Sequence, residues 1–220
     1  MAVNNCLIID IATAPLETAA VDLANEPIDA PANYKDPEKI AAYIATKRAE
    51  LVSKAALDPH SGRISAIGFG AVSPDGIMVF SETQEHTSEA ELLMDIRGSV
   101  GGGRVLVGFN SRAFDWHFLN TRAFLLGVPG WKRITGPAWK SPHIDIYEEL
   151  SGDVRGRAKS LGFYAKLLWP DLVKPLDGAE EAKVFETGNW AGLEKSLEHD
   201  VTVTYRLAQR LGVIEQEPVL

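Results

Sequence analysis

The chain has 220 residues, which is enough to bury the core of one α/β domain. Its single cysteine, Cys6, excludes an intrachain disulfide. The single cysteine, the absence of a long apolar run and the absence of a signal-peptide pattern together predict a cytoplasmic protein outside the membrane. The net charge of −8 argues against broad electrostatic binding to duplex DNA but leaves room for a narrow nucleic-acid groove.

The periodicity of apolar residues, together with residues that typically begin or end an element, divides the chain into strands and helices. Asp36-Pro37 is a good helix start, Ser88 and Glu91 form a capping box, and Gly212 ends the last helix. Residues 143–147 predict either a short strand or the start of a helix. The predicted strands are 5–11, 63–72, 76–81 and 104–109, and the predicted helices are 36–57, 88–98, 111–126, 160–169 and 189–211.

This order of elements predicts an α/β fold, with a mixed β-sheet flanked by helices on both faces. Residues 14–35 show little periodicity. Together with the helix that follows, they form an inserted excursion over about 14–60. Neither an internal repeat nor a linker divides the chain, so we expect a single domain over residues 1–220.

Three acids lie in apolar elements that are far apart in the sequence. Asp10 is in the first strand, where aspartate is unfavourable unless it has a partner. Asp115 is in the first turn of a helix, where a favourable interaction with the helix dipole is a sufficient explanation for it. Asp200 lies in the middle of the last helix, near its apolar side. Together they predict a site that binds metal ions.

The residues around these acids resemble the RNase H-like 3′–5′ exonucleases with the DEDD carboxylate set, particularly the proofreading domains of B-type DNA polymerases. The family's Asp-x-Glu-Thr motif corresponds here to Asp10, Ala12 and Thr13. Its second motif is Asn, two or three residues, an aromatic and Asp, and it corresponds to Asn110, Phe114 and Asp115. Its third motif ends in Asp200, and Thr204 continues the usual pattern.

The chain departs from the family at two points. Ala12 stands where the family has a glutamate, so a carboxylate expected to bind metal is missing. The family's general base, a tyrosine or a histidine, corresponds to Ser196 or Lys195. His199 is adjacent to Asp200, and neighbours on a helix do not share a face. Ala12 fits either a single glutamate-to-alanine change in an active parent or natural loss of activity.

The resemblance implies a metal-dependent 3′–5′ exonuclease acting on single-stranded ends, DNA rather than RNA, and impaired by Ala12. Asp10, Asp115 and Asp200 would hold two Mg²⁺ or Mn²⁺ ions, and Thr13 and Asn110 would hold the terminal nucleotide. Phe114 either contacts a base or fills the core. The alternative is a non-catalytic module that binds nucleic acid or a protein partner.

Basic residues are concentrated between Trp131 and Lys166, although the chain as a whole is acidic. Arg155, Arg157 and Lys159 are candidates for contacts with the phosphates of a bound strand. A solvated loop explains the same residues equally well. Glu17 and Glu198 are further candidates for an acid that replaces the missing glutamate. His143 and Asp145 form an apolar-flanked pair that we expect to be structural.

Overall fold

The computed structural model describes residues 5–18, 27–73, 76–100, 104–132, 143–152 and 156–215. Among these residues, five strands form one sheet: β1 (Cys6–Pro15), β2 (Gly62–Ser73), β3 (Gly76–Thr83), β4 (Val105–Gly108) and β5 (His143–Asp145). The helices are α1 (Pro37–Ala55), α2 (Glu89–Ser99), α3 (Asp115–Leu125), α4 (Ile146–Ser151), α5 (Leu161–Leu168), α6 (Gly178–Glu181), α7 (Val184–Thr187) and α8 (Trp190–Arg210). Within the ranges given, no helix combines the length and the apolar character that crossing a membrane requires.

The strands lie in the order β3-β2-β1-β4-β5, so β1 is the central strand. It pairs with β2 in the antiparallel direction and with β4 in the parallel direction, and β4 pairs in parallel with β5. The pairing with β4 ends at Ile8↔Val107, while β1 continues to Pro15. Asp10 therefore lies beyond the carboxyl end of β4, close to where the chain continues towards Asp115.

The two faces of β1 are buried in different cores. Leu7, Ile9 and Ile11 pack in a cluster with residues of α2 and α3, whereas Cys6 and Ile8 pack with residues of α8. Because side chains alternate along a strand, Asp10 and Ala12 continue the face that carries Cys6 and Ile8. The helices thus cover both faces of a mixed sheet, and the predicted fold class is confirmed.

Two glycines of β2 allow α8 to lie close against the sheet. A Cβ atom on Gly70 would lie 2.8 Å from Cγ1 of Val201, and a Cβ atom on Gly68 would lie 3.1 Å from Cβ of Leu197. Contacts this short leave no room for a larger side chain. The close approach brings the next residue of the helix face, Asp200, towards the strand that carries Asp10.

Most of the predicted elements are present, with shifted ends. β1 runs to Pro15 because residues beyond the predicted end continue to pair with β2, across a register shift between Ala12 and Thr13. Residues 143–147 form both of the predicted alternatives: a strand that ends at Asp145 and a helix that begins at Ile146. The short helices α6 and α7 were not predicted. Pro74 and Asp75, between the predicted strands 63–72 and 76–81, lie outside the described residues.

A buried ion pair fixes α3 against the rest of the fold. Arg122 of α3 donates from Nε and Nη2 to the two carboxylate oxygens of Glu89 in α2, at 2.8 Å and 2.7 Å. One of these oxygens also accepts from the backbone N–H of Ile64 in β2, at 2.9 Å. Both side chains are almost completely buried. The pair therefore joins α2, α3 and β2 and helps to set the position of α3.

Candidate functional site

The structure brings the three predicted acids to one place. Asp10 comes from β1, Asp115 from the first turn of α3 and Asp200 from the middle of α8. Desolvation raises the pKa of Asp10 well above its ordinary value, and the negative charges of Asp115 and Asp200 raise it further. Three acids that repel one another in a desolvated site create a strong demand for a cation.

Asp115 is buried at the start of α3 and is tied to β1. Its Oδ1 accepts a hydrogen bond from the backbone N–H of Ile11 at 3.1 Å, in the part of β1 that extends beyond β4. Burial raises the pKa of Asp115 to about 7, and the nearby charge of Asp145 contributes, although the hydrogen bonds from backbone N–H groups oppose the rise. The acid is therefore held in place and ionises with difficulty.

A tight turn between β4 and α3 shapes the second motif. Asn110 has a φ of 57°, in the left-handed region that asparagine tolerates better than most residues. The carboxylate of Asp145 holds the turn by accepting from the backbone N–H groups of Asn110 at 2.8 Å and Arg112 at 2.9 Å. A cavity of about 430 Å³ lies beside this turn, and its lining includes Asn110, Arg112 and Tyr147.

His143 also contacts the segment that contains this turn. Its Nε2 lies 2.8 Å from Oγ of Ser111 and accepts from Nε1 of Trp116 at 3.0 Å. Burial lowers the pKa of His143 to about 3, with a smaller contribution from the charge of Arg112. The ring is therefore a neutral acceptor inside the fold. His143 and Asp145 thus both form hydrogen bonds with the segment between β4 and α3.

Asp200 already has a cation beside it. The Nζ of Lys174 lies 2.5 Å from Oδ2 of Asp200 and 2.8 Å from Oε1 of Glu181. On the other side, Nδ1 of His199 lies 2.9 Å from Oδ1 of Asp200, so this ring does reach the site although it is adjacent in sequence. Burial lowers the pKa of Lys174, but the two carboxylates outweigh this effect and raise the pKa above its ordinary value.

Residues 172–176, which we call the covering segment, run along α8 and are attached to it at three points. The carbonyl of Leu172 lies 3.1 Å from Nε2 of His199, and Lys174 pairs with Asp200. The backbone N–H of Leu176 donates to Oγ of Ser196 at 2.9 Å. Ser196, one of the two positions at which the resemblance implies a general base, is fully buried and holds this segment.

Sequence reasoning missed Lys174 and Glu181. Both residues lie between the predicted helices 160–169 and 189–211, in a stretch where no regular element was expected. A lysine between Leu172 and Leu176 in an otherwise apolar stretch was the only available signal. Glu181 ends the short helix α6, and burial raises its pKa while Lys174 lowers it.

The environment of Ala12 is apolar. Its side chain is 2% exposed and belongs to a cluster with Ala66, Val184, Leu193 and Leu197. These residues come from β2, α7 and α8. A glutamate at position 12 would therefore lie on the same face as Asp10 but would meet hydrocarbon on several sides.

The other predicted site residues have ordinary environments. Thr13 is buried next to the register shift of β1, and Phe114 packs against the ring of Phe118 in the core. Arg157 and Lys159 are exposed, and Arg155 lies outside the described residues.

Neither of the two further acids reaches the site. Oε1 of Glu198 lies 3.5 Å from Oγ of Ser81 in β3, and Glu17 is exposed near Arg63. Their sequence positions, close to Thr13 and to Asp200, did not indicate their side-chain directions. Glu181 is the fourth acid that the structure brings to this place.

The oxygen donors of the site fit a divalent cation in kind but not in position. Carboxylates are the ligands that Mg²⁺ and Mn²⁺ prefer. Within the part of the chain that the structure describes, no three acidic, histidine or cysteine side chains lie close enough together to hold a metal ion. Both oxygens of Asp200 are engaged, one by Lys174 and one by His199.

Comparisons with known proteins agree with this fold. A model of the RNase H superfamily matches residues 54–209. Among solved structures, the chain is similar to the family B DNA polymerase from the hyperthermophilic archaeon Pyrobaculum calidifontis, with a TM-score of 0.63 and 17% sequence identity. The similarity covers 94% of this chain and 24% of the polymerase chain, so this chain spans about a quarter of the polymerase's length. No curated protein matches it.

Proposed function

We propose, because the chain belongs to the RNase H superfamily, that it is a 3′–5′ exonuclease domain that engages the ends of single-stranded nucleic acid. DNA is preferred to RNA, and hydrolysis is impaired by Ala12. The observation that supports this proposal is the convergence of Asp10, Asp115 and Asp200 from three separate elements, where Asp115 and Asp200 raise the pKa of Asp10. Mutually repelling acids destabilise a fold, so a functional reason for them is favoured.

Residues that adjoin the acids in the sequence are candidates for holding a nucleotide. Asn110, in the turn that precedes Asp115, lines the cavity of about 430 Å³, which is large enough for a small ligand of nucleotide size, although its lining includes none of the three acids. Thr13 adjoins the register shift of β1, on the strand that carries Asp10. Arg157 and Lys159 are exposed and offer positive charge to the phosphates of the strand.

The metal requirement is part of the proposal. Mg²⁺ or Mn²⁺ ions held by Asp10, Asp115 and Asp200 would supply charge for phosphoryl transfer and lower the pKa of a water molecule. The chain's own residues explain the impairment. Ala12 contributes no carboxylate, and Lys174 holds one oxygen of Asp200. The buried serine at position 196 provides a hydroxyl that is already occupied by Leu176.

A second function is favoured by the covering segment. A module that binds strand ends or a protein partner without hydrolysis needs no metal, and the ion pair between Lys174 and Asp200 satisfies this acid in its absence. The apolar cluster around Ala12 also favours this alternative, because it gives no polar partner to a glutamate. The two functions differ in whether any variant cuts the strand.

Restoring the missing acid tests the exonuclease proposal. Ala12→Glu is expected to raise shortening of single-stranded DNA from the 3′ end by on the order of tenfold over the unmodified chain, since one electrostatic contributor to catalysis returns. The gain remains small while Lys174 holds Asp200. The measurement follows 5′-labelled and 3′-labelled DNA and RNA of one sequence, with Mg²⁺, with Mn²⁺ and with EDTA.

The control for this assay is Asp115→Asn in the Ala12→Glu background, which removes a proposed ligand and keeps the side-chain size. We expect it to abolish the gain. If folded Ala12→Glu leaves both labelled strands intact with either metal, the exonuclease proposal is contradicted. Retention of end binding in that protein would then support the non-hydrolytic function.

A further inference from the structure

We propose that Lys174 is an internal counter-ion that takes the place of a divalent cation at Asp200, so that metal binds only after Lys174 leaves. This inference rests on the proposed function for the identity of the site. It concerns the binding of a metal ion at the site and not the identity of the substrate. Lys174 is a positioning residue in this proposal, because it acts through Asp200.

The position of the ammonium group is the first support. Nζ of Lys174 lies within 2.8 Å of oxygens from both Asp200 and Glu181, whose side chains are each 13% exposed. Asp10 also experiences the positive charge of Lys174, which lowers its pKa against the effect of the neighbouring acids. One ammonium therefore interacts with three acids, as a bound cation would.

The attachment of the covering segment is the second support. Leu172, Lys174 and Leu176 of this segment contact His199, Asp200 and Ser196 respectively. Leu172 and Leu176 make their contacts through backbone groups. These contacts therefore fix the backbone on either side of Lys174, whichever rotamer the lysine side chain adopts. A lysine carried on such a segment is directed into the site, whereas a surface lysine samples many rotamers.

Glu181 is the third support, because it holds Lys174 from the opposite side. It ends α6, a helix that contacts β1, and its carboxylate faces the ammonium at 2.8 Å. The resulting set contains the acids Asp10, Asp115, Asp200 and Glu181. Although these acids outnumber the lysine, pairing with Lys174 stabilises the charge on Asp200 and Glu181.

The absence of an acid at position 12 is consistent with this arrangement. Ala12 brings no charge to the face shared with Asp10, and Val184 of α7 packs on it. One negative charge fewer weakens the attraction for a divalent ion more than for a monovalent one, because the interaction scales with the product of charges. A lysine ammonium is therefore better matched to this site than to one with a complete set of acids.

The test measures Mn²⁺ binding by titration calorimetry at neutral pH in the absence of nucleic acid. Lys174→Gln is expected to bind Mn²⁺ at least about tenfold more tightly than the unmodified chain, because a charge that competes for Asp200 is gone. Lys183→Gln is the matched control. Lys183 is an exposed lysine of the same region, and its change should leave the affinity as it was. Adding Asp200→Asn to Lys174→Gln should remove the gain.

Lys174→Met provides a second variant for the case that Lys174→Gln does not fold. It removes the ammonium, keeps an unbranched side chain of similar length and leaves all four acids intact, so Mn²⁺ affinity is again expected to rise. Equal Mn²⁺ affinity of the unmodified chain and of whichever variant folds would overturn the proposal. So would tight binding that Asp200→Asn leaves unchanged. Because no strand is present, these outcomes are independent of whether the chain cuts or binds nucleic acid.

Discussion

The double variant Ala12→Glu/Lys174→Gln is expected to shorten single-stranded DNA from its 3′ end at least about a hundredfold faster than the unmodified chain. The Ala12→Glu change returns the carboxylate that the first motif lacks, on the same strand face as Asp10. Removal of the lysine frees Oδ2 of Asp200, which its ammonium now holds at 2.5 Å. Each change alone leaves one of these two obstacles in place.

The two changes are therefore expected to be more than additive, as is usual for residues that act as one unit. The initial rate of loss of full-length 5′-labelled DNA in Mn²⁺ measures this effect for the two single variants and the double variant. Asp200→Asn in the double background is the control and should return the rate to that of the unmodified chain. A folded double variant with the rate of the unmodified chain would contradict the assignment of both residues.

Arg122→Met is expected to lower the free energy of unfolding by about 3–5 kcal/mol, the second large effect. The substitution leaves the carboxylate of Glu89 buried without its bidentate partner. Glu89 also accepts from the backbone of Ile64, so the loss is transmitted to β2. Equilibrium unfolding in urea, followed by tryptophan fluorescence, measures the change.

Lys47→Met is the control for this experiment. Lys47 pairs with Glu50 at 2.7 Å on an exposed face of α1, where both side chains are more than 40% exposed. Exposed pairs contribute little, so the unfolding midpoint should not change measurably. If Arg122→Met were also without effect, the ion pair would not be what holds α3 in place.

Local sequence signals predicted the elements whose ends are marked by capping residues or by a glycine. Ser88 and Glu91 form the predicted capping box of α2, and Asn189 caps α8 through Gly192. Gly212, with a φ of 72°, follows the end of α8 as expected. The resemblance of the three motifs also implied the RNase H-like architecture, which the family match confirms.

The ends of other elements depend on contacts that local sequence does not encode. β1 extends to Pro15 because β2 pairs with it, and α3 begins only at Asp115 because Asp145, thirty-five residues beyond Asn110, holds the intervening turn. The helices α6 and α7 are four residues each, too short to show a periodicity of their own. A capping box between Asp177 and Glu180 stabilises α6, and Val184 of α7 packs in the cluster that includes Leu193 of α8.

For the site, the sequence indicated which acids would meet but not what already neutralises one of them. Asp10, Asp115 and Asp200 stood in recognisable motifs, whereas Lys174 and Glu181 belong to none. Position 12 shows the same limit. The sequence left open a single replacement or natural loss, and it gave no sign of the apolar cluster that Ala66, Val184, Leu193 and Leu197 form around this position.

The most direct test of the central claim compares two DNA hairpins of equal length and composition, one with a single-stranded 3′ overhang and one with a 5′ overhang. Fluorescence anisotropy with the unmodified chain in EDTA measures binding without cutting. A site that engages 3′ ends should bind the 3′ overhang at least about fivefold more tightly. Equal affinity for both overhangs, or preference for the 5′ overhang, would contradict the proposed function.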